Sequence, residues 1–239
     1  MKAKCLLMAA VAFGWVAGAT VNNAANAATI SIGWVQDGAG LPTLATTVPG
    51  SGVSDVFNVG APINTGAFII TTSTGGATQP TIPSPGLLFS NNISVSNGVQ
   101  AASHTLDVFI TAQGLTGPLG NPLAVISGLT ENFLLGGYTA TLSTFLSATN
   151  ALFGGTALAS AVFAAPGTSV QTNNANTGAG PYSVTAQYHL VSAAGQAGGA
   201  NSTINMVGVP GPIVGAGLPG LIAACGGLLA FARRRRQRS

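Results

Sequence analysis

The strongest constraint on this chain is a two-residue alternation that recurs along its middle. In Leu106-Asp107-Val108-Phe109-Ile110-Thr111-Ala112 the residues Leu106, Val108, Ile110 and Ala112 share one face. In the run from Tyr182 to Leu190, Tyr182, Val184, Ala186, Tyr188 and Leu190 stand opposite Ser183, Thr185, Gln187 and His189. Successive strand side chains point to opposite faces, so this pattern predicts half-buried β-strands. Ile30 and Ile32 with Trp34, the run Phe68 to Thr72, Tyr138 to Leu142, and Thr203 to Val207 extend the series. No capped segment of 3.6-residue period stands beside them. The best helical candidate, Leu152 to Ala165, is interrupted by Gly154-Gly155, and Thr156 to Phe163 is read as a strand.

Turn residues punctuate the strands. Asn97-Gly98, flanked by Ile93, Val95 and Val99, predicts a two-residue type I′ hairpin, since both residues tolerate positive φ. Pro80, Pro83 and Pro85 mark a long loop, and 173–178 and 195–200 predict further loops. Many short strands without βαβ alternation predict an all-β fold, an antiparallel β-sandwich for which a jelly-roll-like order is one form. The predicted sandwich runs from residue 28 to 208, about 180 residues, enough for one domain with its own core.

The charge distribution narrows what that domain can do. The whole chain carries a formal +3, yet Lys2 and Lys4 lie at one end and Arg233, Arg234, Arg235, Arg236 and Arg238 at the other. Residues 28–208 hold no Lys and no Arg, and their charges are Asp37, Asp55, Asp107 and Glu131. A domain without cations cannot neutralise phosphates, so nucleic-acid binding is excluded. Low charge also weakens repulsion between copies and permits self-association. Cys5 and Cys225 both fall outside the domain, which is therefore expected to fold without a disulfide.

The two ends read as addresses. Lys2 and Lys4, an apolar stretch from Cys5 to Ala19, and Ala25-Asn26-Ala27 have the layout of a secretory signal peptide over residues 1–27, cleaved to leave Ala28 first. At the far end, residues 213–232 form an uncharged apolar run that as a helix at about 1.5 Å per residue spans roughly 30 Å, the depth of a bilayer's hydrocarbon core. The basic residues 233–239 favour the cytoplasmic side and set the orientation. Glycines at 215, 217, 220, 226 and 227 with Pro219 suit a segment held briefly, and a plain single-pass anchor is the alternative.

Val209-Pro210-Gly211-Pro212, the apolar run and the arginine cluster, in that order, resemble the PEP-CTERM sorting signal of Gram-negative bacteria, with the match confined to residues 209–239. The resemblance implies an exported protein processed by an exosortase-like enzyme, often where exopolysaccharide is made. The family's commonest form has a glutamate between the prolines, and Gly211 stands there in this chain. The Tyr-Ser-Val-Thr run at Tyr182, the Gly-rich segment after it and the final Ser-Thr-Ile are similar to ectodomains that carry such tails.

Catalytic sets are sparse. A serine hydrolase needs a nucleophile, a His base and an acid, yet no G-x-S-x-G elbow accompanies His104, Asp107 and His189. His104 and Asp107, three apart on a strand, point to opposite faces. A glycosidase needs two carboxylates flanking the sugar, which Glu131 with one of the three aspartates could supply. His104, His189 and Asp107 lack zinc-ligand spacing, and Asp37-Gly38-Ala39-Gly40 offers one carboxylate where calcium loops supply several, so it reads as a tight turn. No metal or cofactor is expected. Asn92-Ile93-Ser94 and Asn201-Ser202-Thr203 match the glycosylation pattern without further support, and Trp34, Tyr138, Tyr182 and Tyr188 read as core more than as sugar-stacking residues. The expectation is a non-enzymatic protein of the cell surface or extracellular matrix, associated with envelope or exopolysaccharide. A carbohydrate-binding module and an exported hydrolase are the alternatives. Aromatics on a solvent-facing sheet favour the first, and His and carboxylates converging in a cleft the second.

Overall fold

The computed structural model describes residues 28–209 apart from 39, 49–53, 59–60, 79–85 and 120–121. The segment 1–27 read as a signal peptide, with Ala25 and Ala27, the segment 80–85 read as a loop, Pro210 to Pro212, the apolar run and the arginines lie outside the described residues. Among the described residues every regular element is a strand. In chain order they are β1 (Thr29–Gln36), β2 (Thr43–Val48), β3 (Ser54–Asn58), β4 (Ile63–Asn64), β5 (Ile69–Thr78), β6 (Gly86–Asn97) and β7 (Thr105–Leu115). Then follow β8 (Leu123–Leu135), β9 (Thr139–Ser147), β10 (Thr156–Phe163), β11 (Gly167–Ala175), β12 (Tyr182–Val191) and β13 (Gly198–Val209).

The strands pair antiparallel in two sheets. One has the order β10-β9-β12-β7-β1-β2, and the other β11-β8-β13-β6-β5-β3, with β4 on β5. The alternating runs explain why these sheets face each other. Leu106, Val108, Ile110 and Ala112 on β7 and Tyr182, Val184, Ala186, Tyr188 and Leu190 on β12 are fully buried. They meet Ile93 and Val95 of β6, Leu123, Val125 and Leu129 of β8, and Ile204 and Met206 of β13 in one core. The β-sandwich expected from sequence is the fold, and Thr156 to Phe163 form strand β10 as read.

Polar groups cross this core in pairs. The Tyr188 hydroxyl donates to the Asn91 carbonyl on the opposite sheet at 2.6 Å, and Ser127 and Thr144 hydroxyls meet between β8 and β9 at 2.9 Å. Buried hydroxyls left without partners would cost free energy, so these contacts fix how the sheets stack. Desolvation holds the Tyr188 hydroxyl well above the usual phenol range, and it stays a donor.

Three sequence expectations are corrected. Asn97-Gly98 makes no hairpin: β6 already has β5 and β13 on its two edges, so the chain leaves for the other sheet, where β7 pairs with β1 and β12. The Asn97 side chain instead accepts from the Gly198 amide at 3.0 Å. Asn173, Asn174 and Ala175 belong to β11, paired with Val125, Ala124 and Leu123, because a partner strand supplies the ladder that Asn-rich sequence alone does not predict. Gly198 to Ala200 likewise belong to β13, paired with Asn97, Ser96 and Val95. Val209, the first residue of the segment that resembles a sorting signal, closes β13 opposite Ala124.

Candidate functional site

The outer surfaces of the two sheets differ. On the six-stranded sheet, the connection 148–155 folds back across β12, β7 and β1. Ser183 donates to the Ala151 carbonyl at 2.6 Å, Gln113 to the Asn150 carbonyl at 2.9 Å, and the Gly114 amide to the Asn150 side chain at 2.8 Å. Phe153, in a left-handed conformation at φ 54, packs its ring 5.7 Å from that of Phe109. Gly33 lies beneath it, since a Cβ there would come 2.5 Å from Phe153 Cζ. This strap covers Thr111, Ser183 and Thr185, all fully buried.

The sequence-candidate histidines sit toward the end of the same sheet. His104, just before β7, bonds Asp37 through Nδ1 at 2.8 Å, and His189 on β12 bonds Asp107 on β7 at 2.9 Å. The Asp37 carboxylate also accepts from the Thr105 amide at 2.9 Å and from Gln36 at 3.1 Å. Slight burial pushes the Asp37 carboxyl up, but the Thr105 amide, His104 and Gln36 outweigh it and hold the group below the usual carboxylate range. The tight turn read at Asp37-Gly38 fits left-handed φ values of 54 and 66 at these two residues. His104 and Asp107 are thus not partners: each belongs to a separate pair that braces neighbouring strands. No group of three His, Cys, Asp or Glu side chains that could hold a metal is present among the described residues. Tyr138, Tyr182 and Tyr188 are buried, and Trp34 packs against the core.

The outer surface of the seven-stranded sheet is open and differently built. Asn132 donates to Asn201 Oδ1 at 2.9 Å and to Thr203 Oγ1 at 2.8 Å. From the other side Asn92 donates to the same two oxygens, at 3.1 and 3.0 Å, while Asn201 donates back to Asn92 at 3.1 Å. These four side chains span β6, β13 and β8, the middle of the sheet. Both asparagines of the glycosylation patterns, Asn92 and Asn201, are therefore tied to each other on adjacent strands. Thr130 and Thr168 continue the polar surface at 3.3 Å. Beside it stand Phe133, 44% exposed, and Leu135, 57% exposed.

A bulge creates this arrangement. Strict alternation after Leu129 would turn Glu131 and Phe133 inward together. The register shifts between Asn201 and Ser202, so that Ser202 faces Glu131, Asn201 faces Phe133, and Asn132 is the extra residue. Glu131 stays inside at 1% exposure, where Ser202 donates to its Oε2 at 2.6 Å and its Oε1 has no partner. Phe133 comes out instead, its Cε1 3.8 Å from where a Gly199 Cβ would stand. Desolvation pushes the Glu131 carboxyl up to about 7, against the opposing pull of Ser202 and the Asn201 and Phe133 amides. The carboxylate considered for glycoside cleavage is thus sealed beneath the sheet. Sequence reading missed Asn132, Phe133 and Thr203 as surface neighbours. The available signal was a lone Glu at an inward position, which marks a broken register.

No family model matches this chain, and no curated protein matches it. Among solved structures it is similar to TmCBM61 in complex with β-1,4-galactotriose, at 11% identity and TM-score 0.30 over 64% of this chain and 86% of that one. It is similar too to the infectious bursal disease virus VP2 subviral particle, at 12% identity and TM-score 0.28 over 77% and 52%. At these scores neither likeness carries a ligand or an assembly over to this chain.

Proposed function

We propose that this chain is a non-enzymatic exported protein, anchored in transit by its C-terminal segment, passed to an exosortase-like processing enzyme and displayed at the cell surface or in an exopolysaccharide matrix. The observation that carries the proposal is the outer surface of the seven-stranded sheet, where Asn92, Asn132, Asn201 and Thr203 hydrate the protein with neutral hydrogen-bonding groups. A domain without Lys or Arg, wetted in this way, suits a hydrated matrix of neutral polymer. The terminal addresses supply the route, with residues 1–27 as export signal and 209–239 as sorting tail. Both histidines and two of the aspartates are engaged in strand-bracing pairs, which leaves structural display as the role these side chains serve best.

The test is the fate of the tail. The surface form should begin at Ala28 and lack residues 213–239 by mass analysis, and a reporter fused after Ser239 should be active only in the cytoplasm. Neutralising Arg233 to Arg236 should let the chain slip outward, since each arginine resists passage through hydrocarbon. A surface form that retains residues 213–239 overturns the sorting reading and leaves a plain anchor.

A further inference from the structure

We propose that the Asn132–Phe133–Asn201–Thr203 surface of the seven-stranded sheet is a binding platform for a neutral, extended polysaccharide. The proposal rests on the reading above that the domain is displayed outside the cytoplasm, and it names the ligand class for that location.

The hydrogen-bond inventory of the platform leads to a polyol. The Thr203 hydroxyl accepts from both Asn92 and Asn132, so its two lone pairs are used and its own hydrogen is left to donate outward. Both Asn132 Nδ2 hydrogens are spent on Asn201 and Thr203, which leaves Asn132 Oδ1 as an acceptor. Asn201 Oδ1 accepts twice and its amide donates once, to Asn92, so one Asn201 hydrogen remains. Two donors and an acceptor, held by mutual bonds, thus stand side by side. A sugar hydroxyl both donates and accepts, so vicinal hydroxyls satisfy such a set where a purely donating or accepting ligand cannot. The side chains are already ordered, which lowers the entropy lost on binding.

Shape and charge point the same way. Phe133 offers an exposed ring beside the polar set, a surface for the apolar C–H face of a pyranose. Gly199 is buried against the ring, where a Cβ would meet the Val95 carbonyl oxygen at 2.8 Å, and the exposed Leu135 lengthens the apolar strip. No charged residue occurs in β4, β5, β6, β11 or β13; the one in β8, Glu131, faces inward, and Asp55 lies on the edge strand β3, two strands away from β6. An anionic or cationic polymer finds no counter-charge there, whereas a neutral one loses nothing by its absence. The corresponding surface of the other sheet is occupied by the 148–155 strap, so the sandwich leaves this side for a flat ligand.

The experiment uses the full chain purified in detergent and measures depletion onto insoluble cellulose, β-1,4-galactan beads and dextran beads, with alginate beads as the anionic probe. The expected result is binding to at least one of the neutral polymers that high salt does not weaken. Phe133→Ala and Thr203→Val should each weaken it about tenfold, Phe133→Trp should retain it, and Val162→Ala, on the exposed edge strand β10 of the other sheet, should leave it unchanged. If Phe133→Ala fails to fold, Asn132→Ala takes its place with the same expectation. Binding to no neutral polymer overturns the proposal, as do unchanged binding in these variants and salt-sensitive binding to alginate alone. A Phe133→Ala variant that splits a dimer in sedimentation, with no polymer bound by either form, assigns the surface to a second copy and also overturns it. Protease accessibility of the domain on intact cells reads display separately: a chain that is exposed but binds nothing sinks the glycan assignment alone.

Discussion

Replacing Glu131 by Gln should remove a pH dependence from the stability of the fold. In the folded chain the carboxyl lies inside the sandwich with one oxygen unpartnered, and its pKa is pushed from 4.5 to about 7. A raised carboxyl pKa means that the folded state holds a proton the unfolded chain has released. The stabilisation is therefore fully present below about pH 4.5, declines as pH rises and is lost above about 7. At about 1.36 kcal/mol per pKa unit the loss amounts to at most about 3 kcal/mol, a sizeable share of the 5–15 kcal/mol typical of a domain. Gln keeps the shape, still accepts from Ser202 and carries no charge to desolvate. Urea denaturation of both proteins from pH 5 to pH 8 should give nearly equal stabilities at pH 5 and a variant more stable by about 1–3 kcal/mol at pH 8. Taking the difference between the two proteins cancels the aspartates and histidines, which they share. A difference that is the same at every pH, or a wild-type chain that gains on the variant as pH rises, would refute the reasoning.

Tyr188→Phe should cost about 1–3 kcal/mol in denaturant, because it strips the Asn91 carbonyl of a buried donor that joins the two sheets. Gly33→Ala should lower the thermal midpoint and raise the amide exchange of residues 148–155, since its Cβ would displace the Phe153 ring and loosen the strap. An unchanged exchange pattern in that variant would mean that the strap does not depend on its glycine seat.

Much of the sandwich was legible because burial imposes a period of two, and the runs at Leu106 and Tyr182 lost no member to the surface. Strand β10 was legible despite its Leu/Ala content, since Gly154-Gly155 forbids a helix from entering it. The Asn97-Gly98 error has a different origin. A hairpin needs a free edge beside the first strand, and occupancy of both edges of β6 is a property of residues far along the chain. The platform was hidden for a related reason. Period-two reading sends Phe133 inward, and only the bulge against β13 sends it out. Asn92 and Asn201 were noticed as isolated tripeptides, while their meaning lies in a pairing across 109 positions of sequence.

Val209 ends the strand β13, which is ladder-bonded to β8 on one side and β6 on the other. The chain thus passes toward its tail from the middle of a sheet and not from a rim. Tension drawn along β13 loads its rungs on both sides together, in shear, so that many must fail at once. Pulling an edge strand sideways would instead open rungs one after another. A sandwich loaded through Val209 would meet that load in the direction its sheet resists best, so the place where β13 ends has a mechanical consequence.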